Sequence, residues 1–403
     1  MWSTALLVLF LAFQSNYYEL GMKALDEKQY QSAADDFLKA IAADPQDFTA
    51  HFNLALAYSL QGKDADAIPE YKKVLDLKSD LYQADLNLAI SLLRIQHGPE
   101  AVPYLTTAVS QKPQEYRPNY YLAAALLASN EFAKAEQAYT TALELDPKSP
   151  DAELGLAHAL AKQNRLADAA PHFKKAAELN SRYRDDLLEL AALYEAQNQA
   201  SDAIAIYRQF PDNPGAQERL GELELKSGEA SDAIAHFQAA IEKSPTNANR
   251  AALAEAYIKN KEPDKALPVV EQILGADPNN FEIRMLHGRI LRDQRKFPAA
   301  AQDFFLATKL KPEDTKAWSE FAGVLVMAED YPAALGALDR LAALHAEKPG
   351  HVYLRAIVLD KNRQIKPALE SYQKFLTMSK GENPDEEFKA RQRVRILQRE
   401  LNK

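Results

Sequence analysis

Not one cysteine occurs among the 403 residues. That absence removes disulfides, thiolate nucleophiles and thiolate metal sites together, and it leaves the redox compartment open. Glycine is scarce as well, at 13 residues, whereas Ala, Leu, Glu, Lys and Gln are abundant. Such a balance favours helix over strand. A basic excess is also missing. The net charge of -9 speaks against a nucleic-acid partner, because phosphate binding rests on clustered Lys and Arg.

Catalytic signatures are missing too. The eight histidines at 51, 97, 158, 172, 236, 287, 345 and 351 are scattered, with no H-E-x-x-H pairing. His158 and His172 come nearest to one another, but no third ligand stands at a metal-binding spacing, so no metal site is expected. There is no G-x-S-x-G, no Walker-type loop and no G-x-G-x-x-G. Carboxylates are so plentiful that no pair stands out as acid and base. The expectation is a chain that is not an enzyme, with no cofactor and no small-molecule substrate.

Long apolar runs are represented only by Ala5–Phe13, within MWSTALLVLFLAFQS. Its length suits the core of a secretory signal and falls well short of the ~20 residues of a spanning helix. No Lys or Arg precedes it, and no good small-x-small cleavage site follows. Residues 1–15 therefore read as a possible signal peptide, with an uncleaved anchor or an apolar cap on the first helix pair as the other readings. Export to a periplasmic or extracytoplasmic space is expected, a cytoplasmic location being the alternative.

What the chain does have is repetition. The segment AEQAYTTALELDP (135–147) returns as AADDFLKAIAADP (33–45), as ADAIAHFQAAIEKSP around 231–245, and as AAQDFFLATKLKP (300–312). Pro45, Pro113 and Pro147 are separated by multiples of 34, a period that signals stacked supersecondary units. A second amphipathic segment precedes each skeleton, for example HFNLALAYSLQG (51–62) and ELGLAHALAKQN (153–164). The unit is two helices of about 13 residues joined by a short turn.

The residue choices have physical reasons. Ala at 33, 67, 101, 135, 169, 203, 233, 266, 300, 334 and 368 marks where paired helices touch, since a larger side chain would force them beyond the usual ~8–10 Å. Phe37, Tyr71, Leu105, Tyr139, Phe173, Tyr207 and Phe237 lie four residues later on the same face and fill the gap to the next pair. Gly62, Asn130, Asn164, Asn198 and Gly228 stand where the first helix must end in a left-handed residue. Pro45, Pro147, Pro245, Pro278 and Pro312 stop the second helix or open the next one.

On these residues the chain resembles the tetratricopeptide repeat family, whose 34-residue unit reads W-x2-L-G-x2-Y, A-x3-F, A-x4-P. The first unit supplies Tyr17, Leu20, Gly21, Ala33, Phe37, Ala40 and Pro45; the second supplies Leu54, Ala55, Tyr58, Ala67 and Tyr71. Eleven units start near 14, 48, 82, 116, 150, 184, 214, 247, 281, 315 and 349. The resemblance implies an all-α, right-handed α-solenoid (a superhelix) of about eleven helix-turn-helix repeats. Its expected parts are an N-terminal array over 16–213 (six units), a C-terminal array over 214–382 (five units) and a capping helix over 383–403. The unit near 184 is short, with its second helix truncated at Phe210. In the capping helix Asn383 is expected to cap, and Phe388, Val394, Leu397 and Leu401 to cover the last pair.

By the same resemblance, the first helices line a concave groove that takes a protein or peptide. The positions that would face it are Tyr18, Met22, Phe52, Leu56, Leu86, Ile90 and Tyr120 in the N-terminal units, an apolar strip over 18–127. Further along come Glu218, Glu222, Glu255, Arg289 and Arg292. An exposed apolar strip marks an interaction site. The competing reading is that curvature buries much of it and makes Leu56 and Leu86 ordinary core. A third possibility is that the run 5–13 lies in the groove of its own chain. Some family members clamp a C-terminal carboxylate; here Asn53 and Asn87 hold Asn places, but Tyr18 and Met22 stand where Lys and Asn are needed. The expected function is a non-catalytic scaffold or adaptor, in envelope assembly or secretion, with a cytosolic adaptor or regulatory module as the alternative. Membrane contact would come only through an uncleaved N-terminal segment.

Overall fold

Small and large apolar residues alternate along this chain at helical spacing, and the result is a succession of helix hairpins. The computed structural model describes residues 17–402. The apolar run 5–13 lies outside them. Among the described residues there are 23 α-helices, one short 3-10 helix and no strand. They make eleven consecutive hairpins followed by a single helix, Pro384–Leu401. None of these helices is long and apolar enough to cross a membrane.

The first helices of the hairpins are 17–26, Phe48–Leu60, Tyr82–Arg94, Tyr116–Ala128, Pro150–Lys162, Asp186–Ala196, Pro214–Ser227, Asn247–Lys259, Phe281–Asp293, Thr315–Met327 and Pro349–Lys361. Side chains just upstream start many of them. Asp47, Ser149, Asn213, Thr246, Asn280 and Asp314 each accept a hydrogen bond from a backbone N–H of the first turn, relieving donors that the helix itself cannot satisfy. The second helices end by rule as well. Those finishing at Ala43, Leu145, Lys243, Ala276 and Leu310 stop two residues before Pro45, Pro147, Pro245, Pro278 and Pro312, because the residue before a proline is driven out of the helical region.

Between the two helices of every hairpin lies one residue of positive φ: Lys28, Gly62, Gln96, Asn130, Asn164, Asn198, Gly228, Lys261, Arg295, Glu329 and Arg363. The Gly and Asn members fall where the sequence places them. The other six are L residues held in a left-handed conformation that costs roughly 1–2 kcal/mol each.

The chain divides into two compact units, an N-terminal module ending at Ile206 and a C-terminal module beginning at Tyr207. Each is an all-α stack of hairpins, a helical-repeat solenoid. All eleven marker alanines are fully buried. The large residue four places on is buried in every repeat, from Phe37 and Tyr71 to Phe304 and Phe375's neighbour Tyr372. Close approach also explains certain glycines. A methyl group on Gly155 would stand 2.2 Å from the Tyr139 ring, and one on Gly288 would stand 2.8 Å from Phe304.

Two expectations need correction. The second helix of the sixth repeat ends at Tyr207 rather than Phe210. Phe210, followed by Pro211, leaves the helix yet stays buried. In the terminal helix, Asn383 makes no side-chain cap; its amide donates to Ser379 Oγ at 3.0 Å. The Glu387 carboxylate instead accepts from the Gly381 N–H at 2.6 Å. The covering face runs through Glu387, Ala390, Val394 and Leu397, whereas Phe388 is 63% and Leu401 45% exposed. Phe388 sits one residue off that stripe, a turn of about 100° towards water.

Candidate functional site

Successive first helices lie side by side within each module, and hydrogen bonds join them in a row. In the N-terminal module Asn53 Nδ2 donates to the Tyr18 hydroxyl (3.0 Å), Ser59 and Ser91 share a bond (3.0 Å), and Tyr82 donates to Glu115 (2.6 Å). This row is the surface on which the sequence places the groove.

Its apolar members divide. Leu86 and Ile90 are core, 4% and 8% exposed, packed with Tyr71, Leu88 and Leu105. Neighbouring hairpins cover Leu86, as the competing core reading has it, whereas Ile90 keeps one edge on the cavity between the repeats. Phe52 and Tyr120 are half-buried wedges. Phe52 meets the Tyr71 ring edge-on at 5.7 Å. Tyr120 stacks on Tyr116 at 5.6 Å and meets Tyr121 and Tyr139 edge-on, and burial raises its hydroxyl pKa. Tyr18 packs edge-on against Phe37 at 5.9 Å, with Met22 beside it on the same core.

What remains open is a cavity of about 170 Å³ over the second to fourth repeats. Leu56, Leu60, Ile90 and Tyr121 supply apolar wall, and Ser59, Asn87, Ser91, Arg94 and Arg117 supply polar groups. The floor is Tyr71, fully buried, whose hydroxyl faces the side chains of Ser59 and Asn87. Burial pushes that hydroxyl up to about 12. Arg94 reaches Asp64 only at 3.5 Å, and Arg117 has no ion-pair partner among the described residues. Leu60 is 47% exposed. Leu60, Arg94, Arg117 and Tyr121 escaped the sequence reading, which took two places per helix. Leu60 and Arg94 stand one further turn along, where the same 3.6-residue period leads.

In the C-terminal module the charged row is largely self-satisfied. Arg289 Nε donates to Glu320 at 3.1 Å, and Arg292 donates to the other oxygen of the same carboxylate. Glu222 pairs with Arg219 at 2.5 Å and Glu255 with Lys259 at 3.1 Å. Glu218 is half-buried on the first helix of the seventh repeat. A cavity of about 190 Å³ lies beside Arg289, Ser319, Glu320 and His351. Ser319 and His351 are hydrogen-bonded there at 2.9 Å, and burial holds the His351 pKa down.

One cluster of ligating side chains is formed by residues that the sequence reading did not join to His158. Asp186 and Glu189, on the first helix of the sixth repeat, stand beside His158 on that of the fifth. His172 belongs elsewhere, bonded to the buried Glu153 at 2.6 Å.

Comparison with known proteins places the repeat in a wider group. A family model described as "Tetratricopeptide repeat" matches residues 18–81, 86–150, 154–214 and 188–248, and a second of the same description matches 224–290. No curated protein matches the chain. Among solved structures, "MamA MSR-1 C2" is similar at 24% identity, over 42% of this chain and 97% of that one, with a TM-score of 0.40. "MamA 41-end from Desulfovibrio magneticus RS-1" is similar at 22% identity, over 42% and 96%, with a TM-score of 0.40. "YrrB: a TPR protein with an unusual peptide-binding site" is similar at 18% identity, over 41% and 85%, with a TM-score of 0.39.

Proposed function

The chain belongs to the tetratricopeptide repeat family, and from that premise we propose that it is a scaffold that holds a protein or peptide segment on the first helices of its N-terminal module. The observation that carries this reading is the contrast between the two modules. Around Arg289 and Arg292 the charges are already paired within the chain. The cavity over the second to fourth repeats instead presents Arg117, which makes no ion pair within 4.0 Å among the described residues, and Arg94, which reaches Asp64 only at 3.5 Å, beside an apolar wall. A hydrogen bond from an Arg to a ligand carboxylate is charge-assisted and roughly twice as strong as a neutral one, so these two side chains favour an acidic group. The segment favoured carries an acidic side chain towards Arg94 and Arg117, with apolar neighbours against Leu56, Leu60 and Tyr121.

A peptide-display selection on the full chain tests this, with counter-selection on an R94A/R117A variant. Peptides enriched on the native chain should combine an acidic residue with flanking apolar ones and lose binding at least about tenfold on the variant, as truncating an interfacial Arg commonly does. Enrichment that is equal on both chains would overturn the reading.

The proposal extends to an exported scaffold of envelope assembly or secretion, supported by the apolar run Ala5–Phe13. A cytosolic adaptor or regulatory module is the alternative. The intact mass of the native protein decides: loss of the first 15 or so residues supports export, and their retention in a soluble fraction supports the adaptor.

A further inference from the structure

The fifth and sixth repeats bring three ligating side chains together. His158 projects from the helix Pro150–Lys162. Asp186 and Glu189, one turn apart, project from the start of Asp186–Ala196. One ring nitrogen and one oxygen from each carboxylate all lie within 4.8 Å of one another, and His158 Nδ1 is 3.5 Å from Glu189 Oε1.

We propose that His158, Asp186 and Glu189 form a divalent transition-metal site, of the zinc type, that staples the fifth repeat to the sixth. Tetrahedral ligands at about 2.0–2.1 Å from a zinc ion stand about 3.4 Å apart, close to the His158–Glu189 separation. One imidazole with two carboxylates suits zinc or a similar first-row ion; magnesium and calcium prefer all-oxygen shells. Three protein ligands leave the fourth position to water or to a partner's side chain.

The surroundings prepare the site. The His158 ring meets Phe173 edge-on at 5.2 Å and 86°, which fixes its plane. The location matters mechanically as well. A single turn of 3-10 helix, Ser181–Tyr183, leads into the sixth repeat, and its second helix is only 8 residues long. Repeats derive their stability from neighbour contacts, so a cross-repeat ligand set strengthens the array where its own packing is short.

The other trio among the described residues, Glu224, Glu229 and Asp232, contains no imidazole of its own, and Glu224 is already engaged by Arg208 at 3.2 Å and by His236 at 3.4 Å. It serves as the control.

The untagged, metal-stripped full chain is titrated with Co2+, followed by visible absorption and by thermal unfolding, and then challenged with Zn2+. A saturable, intense band of four-coordinate cobalt at one equivalent, displaced by zinc, is expected, together with a Tm that rises with metal concentration. H158A should abolish the band. E189Q, at an exposed side chain that the fold does not need, should weaken cobalt binding at least about tenfold. E229Q/D232N should leave it unchanged. Metal-free melting of each variant separates a lost site from a lost fold. Absence of a saturable band overturns the proposal, as does a band undiminished in both H158A and E189Q, or equal stabilisation by Mg2+.

Discussion

Eleven turns with one left-handed residue each make the fold's stability unusually easy to tune, and they permit a sharp test. Gly228 has φ of 87°, and a methyl group added there would meet no atom within 4 Å. The same is true of Gly62 at 74°. Gly→Ala at either place therefore measures the backbone conformation alone, free of any clash. The expected loss is about 1 kcal/mol, because the left-handed penalty of roughly 1–2 kcal/mol outweighs the entropy that Ala saves in the unfolded chain. The converse applies to Arg295 at 62° and Glu329 at 60°, both exposed. Arg295→Gly and Glu329→Gly relieve the strain and add roughly 0.5–1 kcal/mol of glycine entropy, for a net gain of about 0.5–1 kcal/mol each. They stand a full repeat apart, so their gains should add. In a module of this size about 1 kcal/mol moves Tm by roughly 2–4 °C. Urea and thermal midpoints of the single and double variants give the values. If G228A melts with the native chain, or the R295G/E329G pair melts below it, the left-handed turns are not where the strain lies.

Two further substitutions separate packing from propensity. G155A should destabilise by about 1–3 kcal/mol, since its methyl would press on the Tyr139 ring. G336A, in the helix Tyr331–Ala343 with nothing near its added methyl, should stabilise by about 0.5–1 kcal/mol; equal denaturation midpoints would contradict both. Asp85, 4% exposed, has its carboxyl pushed up to about 6 by burial, against a weak bond from Gln111 at 3.4 Å. Between about pH 4 and 6 the folded chain keeps a proton that the unfolded chain has lost, so stability from this group is full below the ordinary Asp range and falls as pH rises through 6. D85N should therefore gain on the order of 1–3 kcal/mol at pH 7 and little at pH 4, and a gain of the same size at both pH values would refute the assignment.

Repetition made much of this architecture readable in advance, and the reason is physical. Alanine at 33, 67 or 233 is demanded by two helix backbones in contact, so residue type and spacing together locate the hairpin. Gly62 and Asn130 announced their turns by type. Lys261, Arg295 and Glu329 could not, and only their register reveals them. Leu86 admits both an open-groove and a core reading in the sequence because a position in a repeat shows only which helix face a side chain occupies. It does not show how closely the next hairpin leans over that face. Phe388 failed differently, since the last helix belongs to no repeat and its stripe had to be guessed among several apolar residues. The meeting of His158 with Asp186 and Glu189 leaves no local motif, for the ligands come from different repeats. The Tyr71 hydroxyl at the cavity floor is equally silent, because the same residue type at that place is ordinary core.

The central claim is that the row of first helices in the N-terminal module is the working surface. Hydrogen exchange of the full chain with and without a display-selected peptide addresses it most directly. The account predicts slowed exchange in the helices Phe48–Leu60, Tyr82–Arg94 and Tyr116–Ala128, abolished by R94A/R117A, with the second helices of the same repeats unchanged. Protection confined to those second helices, or to the C-terminal module, would contradict it.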